Sequence, residues 1–148
     1  MKILDRPFTR LTPGDLLRPW LPIVVVNPDS GYWLNAYALI DTGADDCALP
    51  AHLAPMLGYR LRTGRARQIS TGSGAATAYA HKIRIEIPDQ DFASPTFPID
   101  FMPGLAVPLL GVASFLSRFK LTVDYPRRCF SLREPATATS SKPRRHRS

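Results

Sequence analysis

Ala38-Leu39-Ile40-Asp41-Thr42-Gly43-Ala44-Asp45-Asp46 drives an apolar run straight into an acid and then into a turn-forming Thr-Gly. A strand that ends this way presents a carboxylate where burial has just stopped. An ionised group at such a boundary is either costly or functional. Alone, the tripeptide also fits a plain turn in which Asp41 accepts a bond from a nearby backbone N–H. The flanking sequence has to decide between the two.

Upstream, Trp20 to Val26 is apolar and β-branched, which predicts a strand. Asn27-Pro28-Asp29-Ser30-Gly31 has turn composition, and Tyr32 to Ile40 reads as the returning strand of a hairpin. Downstream, Leu49, Leu53, Met56 and Leu57 recur at helical spacing, with Pro50 in the first turn, Gly58 as a stop and Pro55 keeping the helix short or distorted. Arg65 to Ile87 reads as two strands closing around Thr71-Gly72-Ser73-Gly74, with Ile83, Ile85 and Ile87 alternating against Arg84 and Glu86. Phe97 to Met102 predicts a further strand, turned by Pro103-Gly104 and followed by the apolar run Val107 to Leu110 and Gly111. Val112, Phe115, Leu116 and Phe119 predict a two-turn helix, and Leu121 to Tyr125 and Phe130 to Leu132 predict closing strands. The whole is a mainly β unit with one or two short helices and no internal repeat.

The 148 residues fit one domain, which at this size buries about two-thirds of its unfolded surface. Fifteen prolines argue against long helices. Residues 1–18 are polar and broken by Pro and Gly, which predicts an N-terminal arm outside the core; 19–133 form the domain, and 134–148 a disordered basic tail. The chain carries +7, part of it on Lys142, Arg144, Arg145 and Arg147 of that tail. A tail of this kind serves solubility or weak polyanion contact, and with no nucleic-acid module beside it no nucleic-acid partner is expected. Cys47 and Cys129 lack metal or redox spacing and read as reduced thiols of a cytoplasmic protein. The start has no secretory apolar segment, and no apolar run approaches the roughly 20 residues that span a bilayer, so no membrane partner is expected. His52, His81 and His146 are scattered, so no metal site and no cofactor is expected.

Three features stand in order: the strand into Asp41-Thr42-Gly43-Ala44, the hairpin with a Gly-rich tip, and Leu109-Leu110-Gly111. From Trp20 to Leu132 this order resembles the retropepsin-like aspartic proteases, and Phe115 to Tyr125 resembles the ending of bacterial members. The resemblance implies an all-β acid-protease barrel and an aspartic endopeptidase acting on peptide or protein substrates. Hydrolysis without a metal or a nucleophilic side chain needs one group to take a proton from water and another to give one to the carbonyl. Two carboxylates about 3 Å apart share one proton and hold both roles, the established behaviour of aspartic-protease dyads.

Only one Asp-Thr-Gly is present: Asp15 is followed by Leu16, Asp100 by Phe101 and Asp124 by Tyr125. The second carboxylate is therefore expected from a second copy of the chain, with Asp41 catalytic in each subunit. Thr42 and Gly43 would support the site, Thr42 by orienting the carboxylate and Gly43 by letting backbone approach where a Cβ would intrude. By resemblance, Thr71, Gly72, Ser73 and Gly74 would tip a flap over the substrate. Gly43, Ala44 and Asp45 would hold its backbone, and Asp46, Ala106 and Val107 would line side-chain pockets. One departure stands out. Val112 follows Gly111 where retroviral members carry an Arg that pairs with the acid at the Asp45 position, so that partner is either missing here or supplied from elsewhere, by Arg118 or the N-terminal arm. Asp45 and Asp46 also fit a solvated pair at a helix start. A dimerising peptide-binding module with a silent dyad is the alternative function.

Overall fold

The computed structural model describes residues 1–71 and 73–136. Gly72, at the expected flap tip, and 137–148, most of the expected disordered tail, lie outside the described residues.

The fold is all-β. The strands are β1 (Lys2–Pro7), β2 (Trp20–Val26), β3 (Trp33–Ile40), β4 (Ala48–Pro50), β5 (Arg65–Thr71), β6 (Gly74–Glu86), β7 (Phe97–Met102), β8 (Leu109–Leu110), β9 (Lys120–Asp124) and β10 (Cys129–Arg133). Seven of them form one sheet in the order β2-β3-β8-β4-β7-β6-β5. The thirteen-residue β6 pairs with β5 at one end and, at the other, with β2 through Val24↔Glu86 and Val26↔Arg84. That second pairing closes the sheet on itself and leaves β5 as a projecting edge. Inside the closure sit Leu21, Ile23, Val25, Leu49, Ile83, Ile85, Ile99, Phe101 and Leu110, all buried. They are the alternate residues that the sequence pattern points inward. The β2–β3 turn is fixed by Asn27, whose buried Oδ1 accepts from the N–H groups of Asp29 and Ser30 while its Nδ2 donates to the Leu57 carbonyl.

Three expectations change. Residues 1–18 are not wholly an arm outside the core: β1 pairs antiparallel with β10, Ile3 and Phe8 are buried, and the Met1 ammonium meets the Glu134 carboxylate at 3.0 Å. A bulge between Ile3 and Arg6, with Asp5 at φ 47°, breaks the alternation that would have marked this strand. The helix expected from Leu49 starts only at Leu53. Ala48–Pro50 is instead β4, parallel to β7, and α1 is the single turn Leu53–Met56, with Pro55 inside it and Gly58 at φ 81° beyond it.

The third change concerns Val112 to Phe119, which form turns and one 3-10 turn at Leu116–Arg118 rather than two α-helical turns. Phe115 at φ −134° is outside helical geometry, and the Leu116 and Ser117 N–H groups reach back five residues to the Gly111 and Val112 carbonyls. The apolar spacing there serves an aromatic cluster of Phe92, Phe115 and Phe119, with centroids 5.0–6.1 Å apart.

Candidate active site

Asp41 follows the last residue of β3 and is held by backbone on two sides. The short parallel strand β8 accepts its N–H at the Leu110 carbonyl, 3.1 Å, and the Leu39 N–H reaches the Pro108 carbonyl, 2.9 Å. On the other side the Ile40 N–H donates to the Pro19 carbonyl, 3.2 Å. The chain then turns sharply: Ala44 N–H returns to the Asp41 carbonyl, and Gly43 N–H donates to Asp41 Oδ1 at 3.0 Å. A Cβ on Gly43 would lie 3.3 Å from that oxygen, so the glycine keeps the carboxylate's rotamer uncrowded.

The loop is clamped from behind by the chain that leaves β8. Val112 and Ala113 N–H groups donate to the Ala44 and Asp45 carbonyls at 2.9 and 2.8 Å, and the Gly111 N–H donates to Cys47 Sγ at 3.3 Å. The crossing is so close that a Cβ on Gly111 would stand 2.3 Å from the Asp46 carbonyl oxygen. Among the described residues, the carboxylate is thus aimed by backbone groups. Asp41 is half-buried, while Thr42 and Gly43 are exposed beside it. Among the described residues Asp41's carboxylate has no ion-pair partner.

The other predicted residues fall around this loop. Asp45 and Asp46 are exposed, and Asp46 Oδ1 accepts from Ser114 Oγ at 3.4 Å. No helix begins at them, since α1 starts at Leu53, which leaves the helix-start reading without its helix. Arg118 donates through Nε to the Ser114 carbonyl, and among the described residues it forms no ion pair with Asp45. In the β5–β6 hairpin Thr71 pairs with Gly74, and Ser73 and Ala75 face Pro103 and Leu105 across a cavity of about 300 Å3. Ala106, exposed, and Val107, half-buried, link that turn to β8. The hairpin tip, the 102–107 segment and the clamp on the Asp41 loop therefore follow one another in space. Among the described residues no three His, Cys, Asp or Glu side chains are grouped as a metal would require.

A cleft of about 420 Å3 between loop and hairpin is lined by Asp46, Cys47, Ser114, Arg65, Arg67 and Asp100, with Arg67 ion-paired to Asp100. The last four were not among the sequence candidates. The signal was faint: two arginines at period two on a strand, and one acid inside the apolar Phe97–Met102.

Burial pushes the Cys47 thiol up to about 11, assisted by the Asp46 charge and opposed by the Gly111 N–H. Cys47 is therefore expected to resist iodoacetamide at pH 8 in the native protein and to react in denaturant. The folded value lies above the unfolded one, so this group's stabilisation is intact below pH 9 and fades as pH rises from 9 towards 11, by about 3 kcal/mol. Cys47→Ala should flatten that part of a stability-versus-pH curve; an unchanged slope would contradict the assignment.

A model of the family described as aspartyl protease matches residues 32–113. The chain belongs to that family. Its fold is the retropepsin-like one: a retropepsin-like aspartic protease from Rickettsia conorii superposes with a TM-score of 0.60 at 22% identity, over 89% of this chain and 98% of the other. EIAV protease in complex with the inhibitor HBY-793 matches at a TM-score of 0.42 and 21% identity, over 68% of this chain and 88% of that one. No curated protein matches the sequence. The matched segment runs from the start of the β2–β3 hairpin's return to the Gly111 clamp, so it contains the Asp41 loop whole.

Proposed function

We propose that the protein is a homodimeric aspartic endopeptidase in which Asp41 of two subunits meets at a two-fold axis and activates water. The observation that carries this reading is a single half-buried carboxylate, fixed by Gly43 and by the clamp of Gly111 to Ala113, with no second carboxylate motif in the chain to complete it. A second copy supplies the missing acid without further design, because a two-fold axis repeats whatever lies beside it. Thr42, beside Asp41, and Val112, bonded to the Ala44 carbonyl of the same loop, are exposed, and a mate would cover both.

With one proton shared, the ionised carboxylate takes a proton from water while the protonated one donates to the scissile carbonyl. The substrate backbone lies extended between the β5–β6 hairpin and the 41–46 loop, with Gly43, Ala44 and Asp45 beneath it. Thr71 to Gly74 close over it, Asp46, Ala106 and Val107 meet its side chains, and residues 19–133 are the catalytic unit.

The shared site makes activity a function of association. Hydrolysis of a peptide library per mole of protein should fall steeply on dilution through the dimer dissociation constant, in step with the sedimentation shift from dimer to monomer. Full activity in a sedimenting monomer would overturn the proposal.

A further inference from the structure

Among the described residues three strands have a neighbour on one side only. β5 pairs with β6 alone, and the three-stranded sheet β1-β10-β9 ends in β1 on one side and β9 on the other. An open edge is a template for another strand, so it is either blocked or used. β1 is blocked by its own shape: the bulge between Ile3 and Arg6, Asp5 at φ 47°, and Pro7, which has no N–H to offer. β5 carries Arg65 and Arg67 and no acid, so an antiparallel copy of it can set no opposite charge against them.

β9 has neither device. Lys120 to Asp124 pair with β10 residue for residue, from Lys120↔Arg133 to Asp124↔Cys129, without a shift, and include no Pro or Gly. On its other side the strand makes no backbone hydrogen bond among the described residues. Leu121 and Val123 pack on the core, which leaves Lys120, Thr122 and Asp124 together on the opposite face. The strand is also complementary to itself. Two copies related by a two-fold axis at Thr122 run antiparallel, with Thr122 against Thr122, Leu121 against Val123, and Lys120 against Asp124 twice.

Lys120 lacks such an acid within its own chain. Lys2 pairs with Arg133 and Arg133 with Lys120, three cations in one row across the sheet, and among the described residues none of them forms an ion pair. The Glu134 carboxylate beyond them is held by the Met1 ammonium at 3.0 Å. Like charges directly opposite one another destabilise a sheet, and an acid across the free edge would offset them. Asp124 can be that acid. Its Oδ1 accepts the Arg127 N–H at 2.9 Å, and the Arg127 guanidinium, 3.7 Å from its Oδ2, is shared with Asp5 at 3.6 Å. The carboxylate therefore keeps acceptor capacity for a second cation.

We infer that two copies of this chain join edge to edge along β9, in one continuous sheet β1-β10-β9-β9-β10-β1, with Lys120 of each copy against Asp124 of the other. The inference rests on the shared-site reading and gives it an interface. It also says how the halves come apart. β10 is flanked on both sides by strands of its own chain, so no strand is exchanged between copies and each half separates as a folded unit. The turns from Val112 to Phe119 connect the clamp behind Asp41 directly to β9, which ties the interface and the site through one short segment.

Sedimentation of the full chain reads the dimer dissociation constant. Lys120→Asp sets acid against acid twice per dimer and should raise that constant by about tenfold or more. Asp124→Lys should do the same by setting cation against cation. An equal mixture of the two variants should recover both dimer and peptide hydrolysis, because in the mixed pair each contact is again an acid against a cation. Lys2→Asp, the same change of charge on the far edge of the sheet, should leave the constant where it was. The Lys120→Asp monomer should keep its β-sheet circular dichroism, and its loss on dissociation would overturn the closed, unexchanged sheet. If Asp124→Lys unfolds for want of its bond to the Arg127 N–H, Lys120→Asp compared with Lys2→Asp still decides. Dimers indifferent to Lys120→Asp, dimers weakened equally by Lys2→Asp, or two folded variants that fail to pair on mixing would overturn the β9 interface and leave the shared Asp41 standing. Dimers that respond as expected but cleave no peptide would overturn the proteolytic reading and leave the interface standing. A chain monomeric at every concentration would overturn both.

Discussion

Asp41→Asn is expected to lower peptide hydrolysis by about a thousandfold or more, equivalent to about 4 kcal/mol of lost transition-state stabilisation. The substitution removes the only function that shape cannot replace. An amide oxygen can still accept the Gly43 N–H now held by Asp41 Oδ1, so the turn should persist and melting should barely change. What disappears is the shared proton, since an amide neither takes one from water nor gives one to a carbonyl. Mixing sharpens the prediction. If the site is made by two subunits, activity after exchange should follow the square of the wild-type fraction, so an equal mixture retains about a quarter of the activity of wild type at the same total concentration. A linear dependence would mean that each chain carries a complete site. Wild-type activity should also lie on the acid side, where the pair carries one proton; a rate still rising through pH 9 would point to other chemistry.

The legible part of this structure is the part whose information is local. β2, β3, β7 and the β5–β6 hairpin each carry several turns of alternation bounded by Asn, Gly or Pro, and their ends fall within about a residue of where the pattern puts them. β4 and β8 are three and two residues long, too short to show any period, yet β8 makes the parallel pairing with β3 that seats Asp41, and β4 a second parallel pairing with β7. β1 was hidden by its own bulge. The Val112 to Phe119 spacing was real but ambiguous, because Phe115 and Phe119, packed on each other and on Phe92, stand four residues apart as two residues of a helical face would. The site divides in the same way. Asp41 to Gly43 is contiguous and could be read; Arg67 and Asp100 are 33 residues apart, and only register brings them together.

Gly111 shows what the sequence left open. Its place after two leucines marks a bend, but the reason no other residue fits is a crossing. Gly111→Ala would put a methyl group 2.3 Å from the Asp46 carbonyl oxygen and 2.9 Å from that of Ala44, both backbone, so no rotamer change relieves the clash. Either the 44–46 loop or the chain after β8 must move, and the bonds from Gly111, Val112 and Ala113 to Cys47, Ala44 and Asp45 would be strained or broken together. Overpacking of this kind costs about 1–3 kcal/mol, and each lost hydrogen bond about 1 kcal/mol more. A loss of at least about 3 kcal/mol is therefore expected, a large share of a domain's stability. Gly43→Ala provides the contrast. Its methyl group would lie 3.3 Å from Asp41 Oδ1, a side-chain atom that can give way. That variant should keep most of its stability and lose activity, because what gives way is the orientation of the carboxylate. Thermal melts and hydrolysis assays on the two variants separate the roles. Should Gly111→Ala melt and cleave like the wild type, the clamp could not be what aims Asp41.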